Sequence, residues 1–115
     1  MTISHEKRKK DIWVVSVSGR LDQTQGPDLE KVLTSLIASS ITRMVVDLSE
    51  TEYINSGGLR ILVTAWRLLH QNEGELILVG LNDRLKMVFE MVGFDKVFTI
   101  VSAYEDAVAR LENRG

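Results

Sequence analysis

The sequence predicts an α/β fold: one domain in which a mixed, mostly parallel sheet of about five strands is covered by four helices. Three observations predict it. Apolar positions switch repeatedly between the alternation of a strand and the three-and-four spacing of a helix. The resulting order is strand, strand, helix, strand, helix, strand, helix, strand, helix, and it forces crossover connections and hence parallel pairing. The 115 residues hold one proline and no repeat, linker or low-complexity run, so residues 1–115 read as a single domain. A chain of this length buries roughly two-thirds of the surface it exposes unfolded, enough for an unaided core.

The elements follow in order. Ile12 to Ser18, IWVVSVS, alternates Trp13, Val15 and Val17 on one face with Ile12, Val14, Ser16 and Ser18 on the other. The polar stretch Thr2 to Lys7 is placed beside it as an antiparallel edge strand, across a charged turn at Arg8 to Asp11 that discourages edge aggregation. Gly26 and Pro27 open a helix whose inward face is Leu29, Val32, Leu33, Leu36 and Ile37, ending near Ala38. Met44, Val45, Val46 and Leu48 read as an interior strand, followed by a loop from Ser49 to Asn55. Leu59, Leu62, Val63, Trp66 and Leu69 mark the clearest helix, stopping near Asn72 to Gly74. Leu76 to Val79 is a buried strand. Asn82 caps a third helix with Leu85, Val88, Phe89 and Val92 inward, closed by Gly93 in the left-handed conformation. Val97 to Val101 is the last strand, and Ser102 to Glu105 reads as a capping box for a fourth helix with Ala107, Val108 and Leu111 inward. No element is predicted beyond Asn113.

Composition narrows the function. Fourteen basic against sixteen acidic side chains give a formal net charge of −2, with no overall basic field for nucleic acid. The one basic run, Lys7 to Lys10, is bracketed by Glu6 and Asp11 and reads as a solvated turn. Absence of cysteine removes disulfides, thiolate metal sites and thiol nucleophiles. Two isolated histidines form no metal-ligand cluster, so no metal is expected. No signal peptide or membrane-length apolar run is present in the sequence, which makes a cytoplasmic protein without membrane association the expectation.

Catalytic constellations fail on spacing. A Ser56–His70 pair on one helix would lie roughly 20 Å apart, against the ~3 Å a nucleophile and base require. Gly57 and Gly58 are followed by Leu59 and Arg60 rather than by the lysine of a phosphate loop. Ser56 itself has two readings. It is a favoured N-cap residue. It is also a hydroxyl that two glycines leave accessible, where an added phosphoryl group would meet the helix N-terminus and carry about −1.5 to −2 charge toward acidic strand ends at Asp22 and Asp47.

The segments VSGRLD (Val17 to Asp22) and VVDLSETEYINSGGLRILVTAW (Val45 to Trp66) resemble the STAS domain of bacterial anti-sigma factor antagonists. The resemblance extends over the whole order of elements. It implies a partner-switching regulator, not an enzyme, with no cofactor of its own. Unmodified, such a protein binds an anti-sigma factor that is also a serine kinase, and a sigma factor is freed. Phosphorylation breaks that complex, and a metal-dependent serine phosphatase restores it. The resemblance places the phosphorylated serine at Ser56 and the partner surface at Asp22, Asn55, Ser56, Gly57 and Gly58. ATP and magnesium would belong to the kinase.

Three positions depart from the family pattern. Asn55 replaces the usual aspartate, Gly57 replaces a serine or threonine, and Arg60 stands where a small neutral residue is more common. Asn55 removes one negative charge, Gly57 leaves Ser56 as the turn's only acceptor, and Arg60 lies four residues from Ser56, within approach of an added phosphate. The departures leave two alternatives: an adaptor of this fold that binds another protein without phosphorylation, or a domain that binds a nucleotide or small ligand at the strand-end edge.

Overall fold

The computed structural model describes residues 2–113, so the expectation of no further element after Asn113 lies outside the described residues. Strands β1 (Thr2–Arg8) and β2 (Ile12–Leu21) lead to helix α1 (Gly26–Ala38). Then follow β3 (Arg43–Ile54), α2 (Ser56–Gln71), β4 (Glu75–Val79), α3 (Asp83–Met91), β5 (Thr99–Val101) and α4 (Tyr104–Asn113). The sheet order is β1-β2-β3-β4-β5, with β1 antiparallel to β2 and the other neighbours parallel.

This sequential order decides where the helices go. From β2 to β5 each crossover steps in the same direction, and right-handed crossovers then put every connecting helix on one face. Accordingly α1, α2 and α3 share a core with Val15, Val17, Met44, Val46, Leu76 and Leu78. Helix α4, which follows the last strand, returns to the opposite face and buries Ala107 and Leu111 against Ile12, Val14, Val45 and Ile77. The alternation read in Ile12 to Ser18 thus divides its apolar side chains between two cores. No helix among the described residues is long and apolar enough to cross a membrane.

Five local expectations need correction. The strand expected over Ile12 to Ser18 continues to Leu21 as β2, and the expected loop from Ser49 to Asn55 is mostly strand, because β3 runs to Ile54. Polar Ser49 to Tyr53 conceals this, yet register shifts near Ser16/Ser18 and Gly19/Arg20 keep β2 and β3 paired. The buried Thr51 hydroxyl donates to the Val17 carbonyl at 2.8 Å, which pins the extension. The last strand begins at Thr99 rather than Val97, since the Val97 and Phe98 amides both donate back to the Phe94 carbonyl, at 3.1 and 3.0 Å. They are thereby withdrawn from the ladder, while Phe98 packs edge-on against Phe89 with centroids 5.7 Å apart. Helix α4 starts one residue later than the Ser102 capping box requires: the Asp106 and Ala107 amides donate to the Ala103 carbonyl. Finally, Val92, expected to face inward, is the C-terminal cap of α3 and half-exposed.

Gly93 ends that helix as expected. Its φ of 78° is left-handed, and nothing lies within 4 Å of where its Cβ would be, so conformation alone calls for glycine there.

Candidate functional site

The turn from β3 into α2 is held by Asn55. Its backbone is extended, its amide donates to the Leu21 carbonyl at 3.2 Å, and its own carbonyl accepts the first helical bond from the Leu59 amide at 2.9 Å. Its Oδ1 accepts from the Gly58 amide at 3.2 Å, so Asn55, not Ser56, is the N-cap. The Asn55 Nδ2 donates to Gln23 Oε1, tying this turn to the one that follows β2. An N-cap needs only an acceptor oxygen. The amide at position 55 supplies that oxygen and also a donor that a carboxylate lacks.

Ser56 is therefore released from capping. It is the first residue of α2, exposed, and its hydroxyl has no hydrogen-bond partner among the described residues.

The two glycines divide their roles. A Cβ on Gly58 would lie 2.7 Å from the Leu21 carbonyl oxygen, 2.8 Å from Leu21 Cγ and 2.9 Å from Ile54 Cγ1. Gly58 is buried, and its lack of a side chain lets α2 seat against the ends of β2 and β3. Only Gly57, partly exposed beside Gln23, keeps the surroundings of Ser56 bare.

Asp22 is partly exposed and shapes its own turn. Its Oδ1 accepts from the Thr24 amide at 2.9 Å and more weakly from the Gln25 amide at 3.4 Å. Its carbonyl accepts from Gly26 at the start of α1. Asp47 is not at this edge. It pairs with Ser16 and Val79 inside β3, seven residues before Ile54 and so about 20 Å along the strand. There it lines a polar depression with Ser4, Ser16, Ser18 and Ser49. The extension of β3 that the sequence conceals is what separates Asp47 from Ser56.

Next to Ser56 lies a groove of about 270 Å³, lined by Ser56, Leu59, Arg60 and Val63 of α2 and by Val92 and Phe94 beyond α3. Val92 is 50% exposed. On α3, Met87 and Met91, four residues apart, are 60% and 80% exposed. An apolar stripe of this kind beside a polar rim is the surface expected of a protein-docking site. Arg60 is exposed, with no ion-pair partner among the described residues. Gln23 escapes the sequence reading, and Val92 reads there as a core residue. Gln23 left no signal, whereas Met87 and Met91, apolar yet outside the inward stripe of α3, marked a second apolar face.

His70 closes the far end of α2, stacked on Trp66 with ring centroids 4.8 Å apart, so Ser56 and His70 are held apart by the helix itself. Among the described residues no three histidine, aspartate or glutamate side chains are grouped to hold a metal ion.

These features define a class: a mixed-sheet α/β domain that presents a serine-bearing helix start and an adjoining apolar groove at the strand ends. Within that class the chain belongs to the STAS-domain family of anti-sigma factor antagonists, its residues 6–107 matching the STAS domain. It is 34% identical over 94 residues to the anti-sigma-B factor antagonist of Staphylococcus aureus, covering 81% of this chain and 87% of that one. The crystal structure of an anti-sigma factor antagonist from Mycobacterium paratuberculosis superposes with a TM-score of 0.88 at 30% identity, over 96% of this chain and 93% of the other. The fold is also that of SpoIIAA, a Bacillus cell-fate determinant in its phosphorylated form. That match has a TM-score of 0.75 at 18% identity, over 95% of this chain and 98% of that one.

Proposed function

We propose that this protein is an anti-sigma factor antagonist whose binding to an anti-sigma factor is switched by phosphorylation of Ser56. One observation carries the reading: the Ser56 hydroxyl is exposed and unbonded at the rim of an apolar groove, because Asn55 performs the capping. In the unmodified state the anti-sigma factor docks over Leu59, Val63 and Val92, and a sigma factor is freed. The anti-sigma factor is also the kinase. It transfers the γ-phosphoryl group of ATP to Ser56 Oγ: the new P–O bond forms as the bond to ADP breaks, and the hydroxyl proton passes to a base of the kinase. The product carries about −1.5 to −2 charge at the rim of an apolar interface, where desolvating it opposes docking. A metal-dependent serine phosphatase removes the group. The protein acts in the cytoplasm as substrate and ligand, not as an enzyme.

The role of Asp22 in this scheme is to set the neighbouring turn, through which Gln23 steadies Asn55. Asn55 and Gly57 contribute partly exposed backbone and amide surface, and Gly58 acts from beneath by packing.

Incubation with the cognate anti-sigma factor kinase and ATP tests the assignment. Intact mass is expected to rise by ~80 Da, the mass of one phosphoryl group, in the wild type and not in Ser56→Ala. No gain, or an equal gain in the variant, overturns it.

A further inference from the structure

The groove beside Ser56 has one charged wall. Arg60 stands four residues after Ser56 on α2, and the two line the same groove with apolar Leu59, Val63, Val92 and Phe94. Side chains four apart on a helix are neighbours, and an anion nearer the N-terminus with a cation nearer the C-terminus is the favourable orientation. Among the described residues no carboxylate pairs with the Arg60 guanidinium, while three of the four cations in the Lys7 to Lys10 run are already paired. Arg60 is thus a free, exposed cation placed within reach of the hydroxyl that the turn leaves unbonded.

We propose that Arg60 is the internal receptor for a phosphoryl group on Ser56, and that the bridge between them closes the groove. This rests on the reading of Ser56 as the modified residue. Guanidinium and phosphate meet through paired, charge-assisted hydrogen bonds, which lysine cannot reproduce because it lacks the planar fork. The bridge spans one helical turn, about 5.4 Å along α2, and lies along the rim of the groove that both residues line. Modification then does two things at the same place. It adds charge, and it draws a long side chain over the apolar surface the partner uses, so the phosphorylated protein is latched in a form that cannot dock.

The test needs neither the kinase nor the anti-sigma factor. Phosphoserine is incorporated at position 56 during synthesis, in the wild type, Arg60→Ala and Arg60→Lys. Two quantities are read: the rate of phosphate removal by a non-specific alkaline phosphatase, and the NMR resonance of the Arg60 Nε–H with and without the phosphate. The expected result is removal about fivefold faster from Arg60→Ala, an intermediate rate for Arg60→Lys, and an Arg60 Nε–H that moves downfield on phosphorylation. Because Arg60 is exposed, unmodified Arg60→Ala should melt with the wild type, which separates the latch from a role in folding. Equal removal rates in all three proteins, or an Arg60 Nε–H unmoved by phosphate, overturns the latch and leaves the assignment of Ser56 standing. Failure of the kinase to modify Ser56 would strike that assignment alone.

Discussion

The two ends of the sheet handle surface chemistry in opposite ways. At the end where β1 turns into β2, the chain carries its densest charge and pairs three of its four cations internally. Lys7 meets Asp11 at 3.1 Å, Arg8 meets Glu6 at 2.7 Å, and Lys10 meets Glu112 at 3.2 Å. The Arg8 guanidinium also lies over the Tyr104 ring at 4.5 Å, and hydrogen bonding to Glu6 raises its pKa further above its already high ordinary value. At the opposite end, where β3 runs into α2, the backbone is closely fixed while the surface is left open. Asn55 and Gly58 pin the turn, yet the Ser56 hydroxyl and the Arg60 guanidinium remain without hydrogen-bond or ion-pair partners among the described residues, and the Val92 side chain is half-exposed. The lesson is that charge density is a poor guide to function in this chain. A rigid frame beneath unsatisfied surface groups marks the place where another molecule is expected.

Substitutions at the two ends sharpen this contrast. The largest effect is expected from Gly58→Ala, whose Cβ would press on the Leu21 carbonyl and the Ile54 side chain. Overpacking of that kind costs about 2 kcal/mol, read as a lower midpoint in urea unfolding. Loss of the cap in Asn55→Ala comes next, at about 1 kcal/mol, with local loosening of the Gln23 turn visible as faster amide exchange at Gly58. The smallest belongs to the basic turn, where Lys10→Gln should shift stability by no more than about 0.5 kcal/mol, since exposed ion pairs contribute little. A large loss from Lys10→Gln together with a negligible one from Gly58→Ala would break the comparison.

Much of this fold was legible in the sequence, and the unread parts have definite causes. The alternation in Ile12 to Ser18 assigned Val15 and Val17 to one core and Ile12 and Val14 to the other, because side-chain direction along a strand is fixed by its period. The length of β3 was hidden because Ser49 to Tyr53 are polar. Their strand character comes from pairing with β2 and from one buried hydroxyl bond at Thr51, contacts that no local pattern encodes. That single misreading also put Asp47 at the wrong place, since a loop after Leu48 would have brought it to the sheet edge. Ser56 was legible as either a cap or an accessible hydroxyl, but the choice between the two was not. Whether Asn55 or Ser56 caps α2 depends on where the extended backbone ends, a one-residue distinction that both sequences of side chains permit. The groove was out of reach for a different reason: Val92 and Phe94 join Ser56 only through the packing of α3 against the sheet.

The central claim is that Ser56 controls docking at the α2 end of the sheet. It is tested most directly by calorimetric titration of the cognate anti-sigma factor into unmodified protein and into protein carrying phosphoserine at position 56. The expected result is affinity weaker by a factor of about ten or more in the phosphorylated form, equivalent to about 1.4 kcal/mol or more. Equal affinity for the two forms would contradict the account.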